Sequence, residues 1–471
     1  MISMLLLIFT SCDDFLDVNT DPNVPTVVPE NLILTGVLAR HSYQVVGSWP
    51  ARHGVKWSQQ IAWNAAVPPT WDNYDLTEGG SGASWSFGYA NIIKNAVELD
   101  RVANENGNYA YAGIAKVIIA WNLSVLTDTY GDIPWEEALD PVAHTKPAYQ
   151  SQQQIYEAVF EYLTAAIEDF QRPSPLVPGA HDLVYGGNMA NWERLAYSLM
   201  GRYHMRLSFA PGQNPAQRAQ SALTALQNGF TGNDHNAMFR HGTDQGSHNP
   251  WHQFAISGDW DDRDRLSYHY VQLLKSLDDP RLPIQARATA DTVSDGTFYG
   301  GHVNGLPGGG RDTVSQIGEF YSAPDAPLYL FHYPELKFIE AEATFLAQGA
   351  VAADPIYREA IGAHMDKLGI DAADRDDYID ALPALTADNG HEQIMIQKYI
   401  ANFLSPEVWV DWRRTNYPTL IPVTHEARVD EIPRRFPYPI AEWQYNTENV
   451  TATGVPLGYD SMKSRVWWDP N

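Results

Sequence analysis

The side chains in this sequence that are best suited to chemistry are rings and short polar groups on one loop. Segment 63–76 carries Trp63, Asn64, Trp71, Asp72, Asn73 and Tyr74, and Pro68-Pro69 stiffens it. Loops run over the surface, so their rings have less core to fill than rings on helices. Flat rings offer apolar platforms, and short amides and carboxylates reach polar edges. The loop therefore predicts ligand recognition, with the alternative that Trp63 or Trp71 packs beneath its own loop.

Two other loops combine aromatic and polar residues in a similar way. Segment 249–264 contains Asn249, Trp251, Trp260 and several aspartates. The glycine-rich segment 299–311 contains Tyr299, Asn304 and Arg311, which could contact the edge of a ligand. Both segments are therefore further candidates for the binding site, and Trp260 is the strongest addition to the first loop.

Motifs for catalysis or metal binding are incomplete. His391-Glu392 is followed by Gln-Ile-Met, so the second histidine of a zinc-binding helix is missing. Pro250 between His248 and His252 argues against one helical face for that pair. A calcium-like run of aspartates is interrupted by Arg263, and no glycine follows it. We predict no catalytic residue, no metal and no cofactor, although a surface enzyme remains an alternative.

The charge of the chain restricts its partners. The sequence has 57 acidic and 31 basic residues, a formal net charge of −26 and a pI near 4.8. Such a field repels phosphate backbones, so nucleic acid is excluded as a partner. At 44% hydrophobic and 12% aromatic residues, the 471-residue chain is rich enough to bury a large core and is not disordered.

Cys12, the only cysteine, follows a short apolar run that ends in two small residues. This pattern predicts a lipoprotein signal peptide over 1–11, with Cys12 as the lipidated residue. The acidic, Asn- and Pro-rich segment 12–26 then predicts a flexible tether. The alternative is a buried apolar N-terminus with an incidental cysteine. We expect no apolar span of 18 residues, and therefore no membrane-crossing helix.

Apolar residues spaced three and four apart predict a mainly α-helical body formed by one domain, 27–471. The spacing predicts helices at 109–126, 152–170, 191–208 and 391–404. Proline and glycine punctuation predicts two more, from Pro334 to Gly349 and from Asp354-Pro355 to Gly369. Consecutive helices pair as in tetratricopeptide-like hairpins. Long loops are predicted at 64–84, 172–190, 228–265, 291–334 and 405–471.

Tryptophans at helical spacing are predicted to be core: Trp121, Trp192, Trp409 and Trp412. We also expect Trp85 and Tyr89 to pack in the core, leading into a helix that begins near Asn91. Three further groups have structural interpretations, namely a helix-closing turn at Tyr130-Gly131-Asp132, a loop anchor at Asp279-Pro280-Arg281, and an ion-pair cluster of Asp411, Arg413 and Arg414.

Several blocks, in order along nearly the whole chain, resemble the SusD/RagB-like nutrient-binding lipoproteins of Gram-negative outer membranes, in the SusD-like branch. They are Cys12–Asn23, Leu126–Ala138, Arg202–Ser208, Asp279–Pro283, Glu340–Ala343, Trp409–Pro418 and Ile432–Pro439. The resemblance implies an α-helical SusD-like fold in which tetratricopeptide-like hairpins support irregular loops. This expectation agrees with the helical periodicity.

The same resemblance implies a lipid-anchored protein of the outer-membrane surface that binds without catalysing. Its partners would be an oligosaccharide or polysaccharide and a SusC-like TonB-dependent transporter. On this basis we expect a glycan site formed by Trp63, Asn64, Trp71, Asp72, Asn73, Tyr74 and Trp260. A peptide or other nutrient, a polysaccharide-degrading enzyme, and a transporter lid without its own ligand remain alternatives.

Overall fold

The computed structural model of the protein describes residues 28–66, 70–258, 262–308 and 310–470. The predicted signal peptide, Cys12, the tether 12–26 and Trp260 lie outside these ranges. The expectations about them stay predictions.

Helices account for most of the described regular structure, as the sequence predicts. The α-helices are α1 (Glu30–Arg40), α2 (Trp49–Trp57), α3 (Glu78–Ser86), α4 (Lys94–Glu105), α5 (Tyr109–Tyr130), α6 (Gln152–Phe170), α7 (Met189–Arg206), α8 (Pro215–Leu226), α9 (Pro250–Ala255), α10 (Tyr268–Ser276), α11 (Leu282–Gln285), α12 (Glu319–Ser322), α13 (Tyr333–Gln348), α14 (Ala350–Leu368), α15 (Ala372–Ala381), α16 (Gly390–Ala401), α17 (Glu407–Thr415), α18 (Ile440–Tyr445) and α19 (Thr447–Ala452).

The strands are short and form three antiparallel pairs. They are β1 (Ile61–Trp63), β2 (Ile133–Pro134), β3 (Tyr149–Gln150), β4 (Ala237–Phe239), β5 (Asp264–Leu266) and β6 (Leu328–Phe331). Strand β1 pairs with β5, β2 with β3, and β4 with β6. The β1–β5 and β4–β6 pairs join distant segments of the chain, so these strands connect loops and do not build a layer of their own.

Helix α5 lies at the centre of the main core. It packs against α4 and α6, while α6 packs against α7, α7 against α8, and α13 against both α8 and α14. Ser151 begins α6 with a capping box, in which its hydroxyl accepts from the backbone of Gln154 and the Gln154 side chain accepts from the backbone of Ser151. These hairpins confirm the predicted mainly α-helical fold.

The apolar character of α5 corrects one expectation. In the described part of the chain, this helix is long and apolar enough to cross a membrane by length and composition, with a window of mean hydropathy 1.4. The expectation that no apolar span of 18 residues exists is therefore wrong. Within the protein, 89% of that window is buried. The helix is apolar on all sides because neighbouring helices surround it.

Two helix starts differ from their predicted positions. Helix α14 begins at Ala350, directly after Gly349, so Pro355 lies inside it and does not mark its start. Pro355 cannot donate to the carbonyl of Val351, but that end of the helix is open to water, since Val351 is 89% exposed. Segment 64–84, predicted as a loop, already contains the start of α3 at Glu78.

The predicted helix start near Asn91 is also wrong, because the helical chain runs on from α3. A π-helical stretch, Phe87–Ile93, joins α3 to α4, and Trp85 and Tyr89 lie within this run. Both rings are half-buried and pack against the main core, with ring centroids 5.0 Å apart.

Two of the motifs that were predicted to have structural roles make contacts that support those roles. Gly131 ends α5 at φ +79°, a value that favours glycine, and Asp132 accepts a hydrogen bond from the backbone of Gln152 at the start of α6. Asp279 and Arg281 form a fully buried ion pair with a 2.6 Å N–O distance. These two groups position loops, as predicted.

Candidate ligand-binding site

The three candidate loops lie next to each other in the structure. Strand β1 leads into the first loop and pairs with β5, so Trp63 lies opposite Asp264 in the register. Asn64 extends this contact, because its backbone donates to the carbonyl of Arg263 and its amide donates to the carbonyl of Gly310. Segments that the sequence offers as separate candidates therefore form one region of the surface.

Three tryptophans of this region form an aromatic shelf, defined as Trp49, Trp63 and Trp71 together with His53. Trp71 stacks on His53 with ring centroids 4.2 Å apart and an interplanar angle of 14°. The ring centroid of Trp71 lies 5.1 Å from that of Trp49 and 5.9 Å from that of Trp63. All three tryptophans are half-buried, so each keeps part of its ring in contact with solvent.

Helix α2 positions the shelf. Trp49, His53 and Trp57 are four residues apart, which places them on one face of the helix. The Trp57 indole N–H donates to the carbonyl of Trp71 at 3.1 Å and so fixes the loop above the helix. The sequence interpretation missed Trp49 and His53 because it predicted no helix over this segment and searched loops for exposed rings. Their spacing from Trp57 is the signal that could have identified them.

A buried charge cluster of Arg52, Lys56 and Asp264 lies under the shelf. The Asp264 carboxylate accepts from Arg52 at 3.0 Å and from Lys56 at 2.6 Å, and its side chain is fully buried. Burial alone would raise the pKa of Asp264, but the charges of Arg52 and Lys56 outweigh burial and lower it. Burial lowers the pKa of Lys56, against the attraction of Asp264. The carboxylate therefore holds two cations in place.

Both cations also contact the rings above them. The Arg52 guanidinium lies 4.5 Å from the Trp71 ring centroid and 3.9 Å from that of Phe254. The Lys56 ammonium lies 5.0 Å from the Trp71 ring centroid and 5.7 Å from that of Trp63. Cation–π attraction of this kind stabilises ring positions, so the charge cluster makes the shelf rigid.

Asp72 joins the first loop to the third. One of its oxygens accepts from the backbone of Trp63 at 3.0 Å, from the Asn304 amide at 3.2 Å and from the backbone of Gly305 at 3.4 Å. Burial raises the pKa of Asp72 to about 6, although the nearby charge of Lys56 opposes the shift. This side chain is only 1% exposed, so it positions the loops.

The other predicted polar residues of the first loop are also buried. Asn64 is 4% exposed, Asn73 4% and Tyr74 1%. The Tyr74 hydroxyl accepts from the backbone of Val423, which connects the loop to the segment that follows α17. Of the predicted residues that the structure describes, Trp63 and Trp71 are therefore the ones that reach solvent.

The second and third loops mainly supply support. Trp251 is 1% exposed and belongs to the main core, and Asn249 is buried at the start of α9. Arg311 forms an ion pair with Asp262 at the surface. In the described ranges, no group of three or more His, Cys, Asp or Glu side chains could hold a metal ion.

The sequence and structure were compared with known proteins. The family model described as "Starch-binding associating with outer membrane", a SusD-like family, matches residues 22–439. A comparison with curated proteins gave no match.

Solved structures of similar fold cover almost the whole chain. A chitin-binding protein has 26% sequence identity and a TM-score of 0.82 over 94% of this chain and 100% of its own. A SusD/RagB family protein from Bacteroides thetaiotaomicron has 24% identity and a TM-score of 0.80 over 94% and 99%. A chitin-binding SusD homologue from Flavobacterium johnsoniae has 23% identity and a TM-score of 0.75 over 93% and 99%. Because the family model matches most of its length, the chain belongs to the SusD-like family.

Proposed function

We propose that the protein binds glycans at the aromatic shelf, without transforming them, and passes them to a SusC-like TonB-dependent transporter for import. The observation that carries this proposal is the group of three half-buried tryptophans held over a buried charge cluster. Rings that keep an exposed face suit the C–H faces of sugars, and a rigid platform loses little conformational entropy on binding. The names of two similar structures, both chitin-binding, also support a glycan ligand.

The proposal assigns the binding contacts to Trp49, Trp63 and Trp71. Asn64, Asp72, Asn73 and Tyr74 act through the loop that they hold in place. Trp260 stays a proposed contact, since it belongs to the second loop. Two or three rings, at roughly 1–3 kcal/mol each by analogy with base stacking, would give micromolar to millimolar binding. Such weak capture suits release to a transporter.

Replacing Trp71 by alanine should lower glycan affinity by about ten-fold, a loss of about 1.4 kcal/mol. Because Trp71 also contacts His53 and Arg52, we expect a modest fall in melting temperature. Trp63→Ala, at the edge of the shelf, should lower affinity with less effect on folding. Calorimetric titration of the folded variants with a glycan panel measures the affinities, and circular dichroism measures the folding.

A matched control is Trp443→Ala, since Trp443 is also partly buried but lies on α18, away from the shelf. It should bind like the unmodified protein. Normal affinity in both shelf variants would show that the ligand binds elsewhere. New reducing ends or unsaturated products after incubation with glycans would contradict the non-catalytic part of the proposal.

We also infer that Cys12 carries the lipid anchor and that a broad face contacts the transporter. Stable anchoring needs more than one acyl chain, so Cys12→Ala should move the protein from the membrane fraction to the soluble fraction. Ser11→Ala keeps a small residue before the cysteine and should stay membrane-bound.

Purification of tagged protein in mild detergent should recover a much larger β-barrel. Membrane retention of Cys12→Ala, or repeated recovery without a barrel, would contradict these inferences.

A further inference from the structure

A cleft of about 670 Å³ lies beside the first and third loops. Helix α10 forms one wall, with Tyr268 at its start 51% exposed. The other walls come from the loops around Leu306 and Ile421, which are 42% and 74% exposed. This volume is large enough for one or two sugar units of an oligosaccharide.

The lining of the cleft indicates an uncharged ligand. Among the described residues that line it, the polar groups are amides, hydroxyls and imidazoles, with no Asp, Glu, Lys or Arg. Such a surface is unexpected in a chain of net charge −26. A ligand with an amine would find no carboxylate in the cleft. A ligand with a sulfate group or a uronic acid would find no arginine or lysine there, so a neutral ligand suits the cleft best.

The apolar part of the lining is aliphatic. Leu273, Val303, Leu306 and Ile421 supply branched side chains, whereas Tyr268 is the only tyrosine or tryptophan among the lining residues described. The flat face of an unsubstituted sugar is matched by a flat ring, as on the aromatic shelf. A concave aliphatic surface instead buries a group that projects from the sugar. A methyl group with a neighbouring carbonyl has this shape, and the half-buried amide of Gln272 is a donor of the kind a carbonyl accepts from. The Gln59 amide, in contrast, is buried and donates to the carbonyl of Ile421 at 2.5 Å, so it positions that wall of the cleft.

The cleft and the aromatic shelf are adjacent. Asn304 lines the cleft, and its amide donates to Asp72. The same Asp72 oxygen accepts from the backbone of Trp63, next to the shelf. One buried side chain, Asp72, therefore contacts both a residue of the cleft lining and a residue of the shelf.

We propose that this cleft binds an acetyl substituent of a neutral glycan and so makes the protein selective for acetylated oligosaccharides. The proposal rests on the function proposed above, since the shelf binds the sugar backbone and the cleft recognises what projects from it. The acetyl group can be carried by nitrogen or by oxygen, and both have the same methyl and carbonyl.

Two matched pairs of ligands test the proposal by calorimetric titration of the full chain. Chitotetraose and cellotetraose share a backbone and differ in the N-acetyl group, and acetylated xylo-oligosaccharides are compared before and after alkaline deacetylation. We expect the acetylated member of at least one pair to bind roughly ten-fold more tightly. The double variant Leu306→Ala/Ile421→Ala should reduce that preference about four-fold, which corresponds to the burial of about one methylene group.

Both substituted side chains are largely exposed, so the double variant should fold normally. Leu176→Ala, at a 54% exposed leucine away from the cleft, is the control and should keep the preference. Equal binding of both members of each pair would overturn this inference and leave the proposed function intact. A preference that persists in the double variant would also overturn it, because the acetyl group would then be recognised elsewhere. No binding of any of the four glycans would overturn this inference too, and the glycan panel used with the shelf variants then tests the proposed function separately.

Discussion

Replacing Asp264 by asparagine is expected to lower the free energy of unfolding by about 3–5 kcal/mol, the usual cost of breaking a buried ion pair. Asp264 is fully buried and contacts two cations, so the variant leaves both Arg52 and Lys56 buried without the carboxylate that pairs with them. Because these cations also support the Trp71 ring, glycan binding should weaken at temperatures where the variant is still folded. Urea denaturation measures the stability, and titration measures the binding.

The pH dependence gives a second measurement for the same variant. The pKa of Asp264 is lowered in the folded protein, so its contribution to stability is present above the ordinary aspartate pKa near 4 and is lost as the pH falls below it. The difference in free energy of unfolding between Asp264→Asn and the unmodified protein should therefore be largest at pH 7 and should decrease as the pH falls. Asp295→Asn changes an aspartate paired with Lys275 at the surface and should leave the urea midpoint unchanged. Equal stability of Asp264→Asn and unmodified protein at pH 7 would contradict this interpretation.

Replacing Glu342 by leucine is expected to lower the free energy of unfolding by a similar amount, about 3–5 kcal/mol. Both oxygens of this buried carboxylate accept from Arg414, at 2.6 and 2.7 Å, and one also contacts His391 at 2.9 Å. Burial alone would raise the pKa of Glu342, but the charge of Arg414 outweighs burial and lowers it well below the usual range. The leucine variant removes both of these hydrogen bonds from the buried Arg414 guanidinium, which still contacts Asp411 at 3.1 Å.

A double variant separates the ion pair from the packing around it. Glu342→Leu/Arg414→Met removes both charges and should recover a large part of the lost stability, because apolar side chains can replace a buried ion pair at little cost. Glu340→Leu, on the same helix but partly exposed, should change stability by about 1 kcal/mol or less. If the double variant is no more stable than Glu342→Leu, the loss comes from packing, and the ion-pair explanation is wrong.

The Glu342 cluster shows what the sequence could predict about the fold. Apolar spacing and terminal residues located α5, α6, α7 and α13 to within a few residues. An ion-pair cluster of Asp411, Arg413 and Arg414 was also predicted: Asp411 and Arg414 do pair, whereas Arg413 donates to the backbone carbonyls of Asp128 and Arg434. The role of Glu342 as the partner of Arg414 was not predicted, because Glu342 lies 72 residues before Arg414 and no local pattern connects them. The start of α14 was predicted too late in the sequence because Pro355 was taken as the start of the helix. Proline is tolerated at a solvent-facing turn near the start of a helix, and Pro355 lies inside α14.

The candidate site was predictable in its parts but not in its assembly. Composition identified all three loops, and Trp63 and Trp71 are half-buried, as partly exposed rings would be. Strands of three residues carry almost no periodic signal, so the pairing of β1 with β5 was not predicted. Without that pairing, the short polar residues of the first loop were expected to face a ligand. In the structure, Asp72 is buried and accepts hydrogen bonds from Trp63 of its own loop and from Asn304 and Gly305 of the third loop.

The separation of Arg52 and Asp264 along the chain has a consequence for folding. These two residues are 212 positions apart, and the shelf depends on both. Closing so long a loop costs chain entropy, which the ion pair offsets only after the contact has formed. The contact is therefore expected to form later than the local helices. The amino-terminal helices can form early, whereas the binding surface exists only after more than half of the chain is synthesised and in place. A chain that is still unfolded, for example during export, therefore has no shelf on which to hold a glycan.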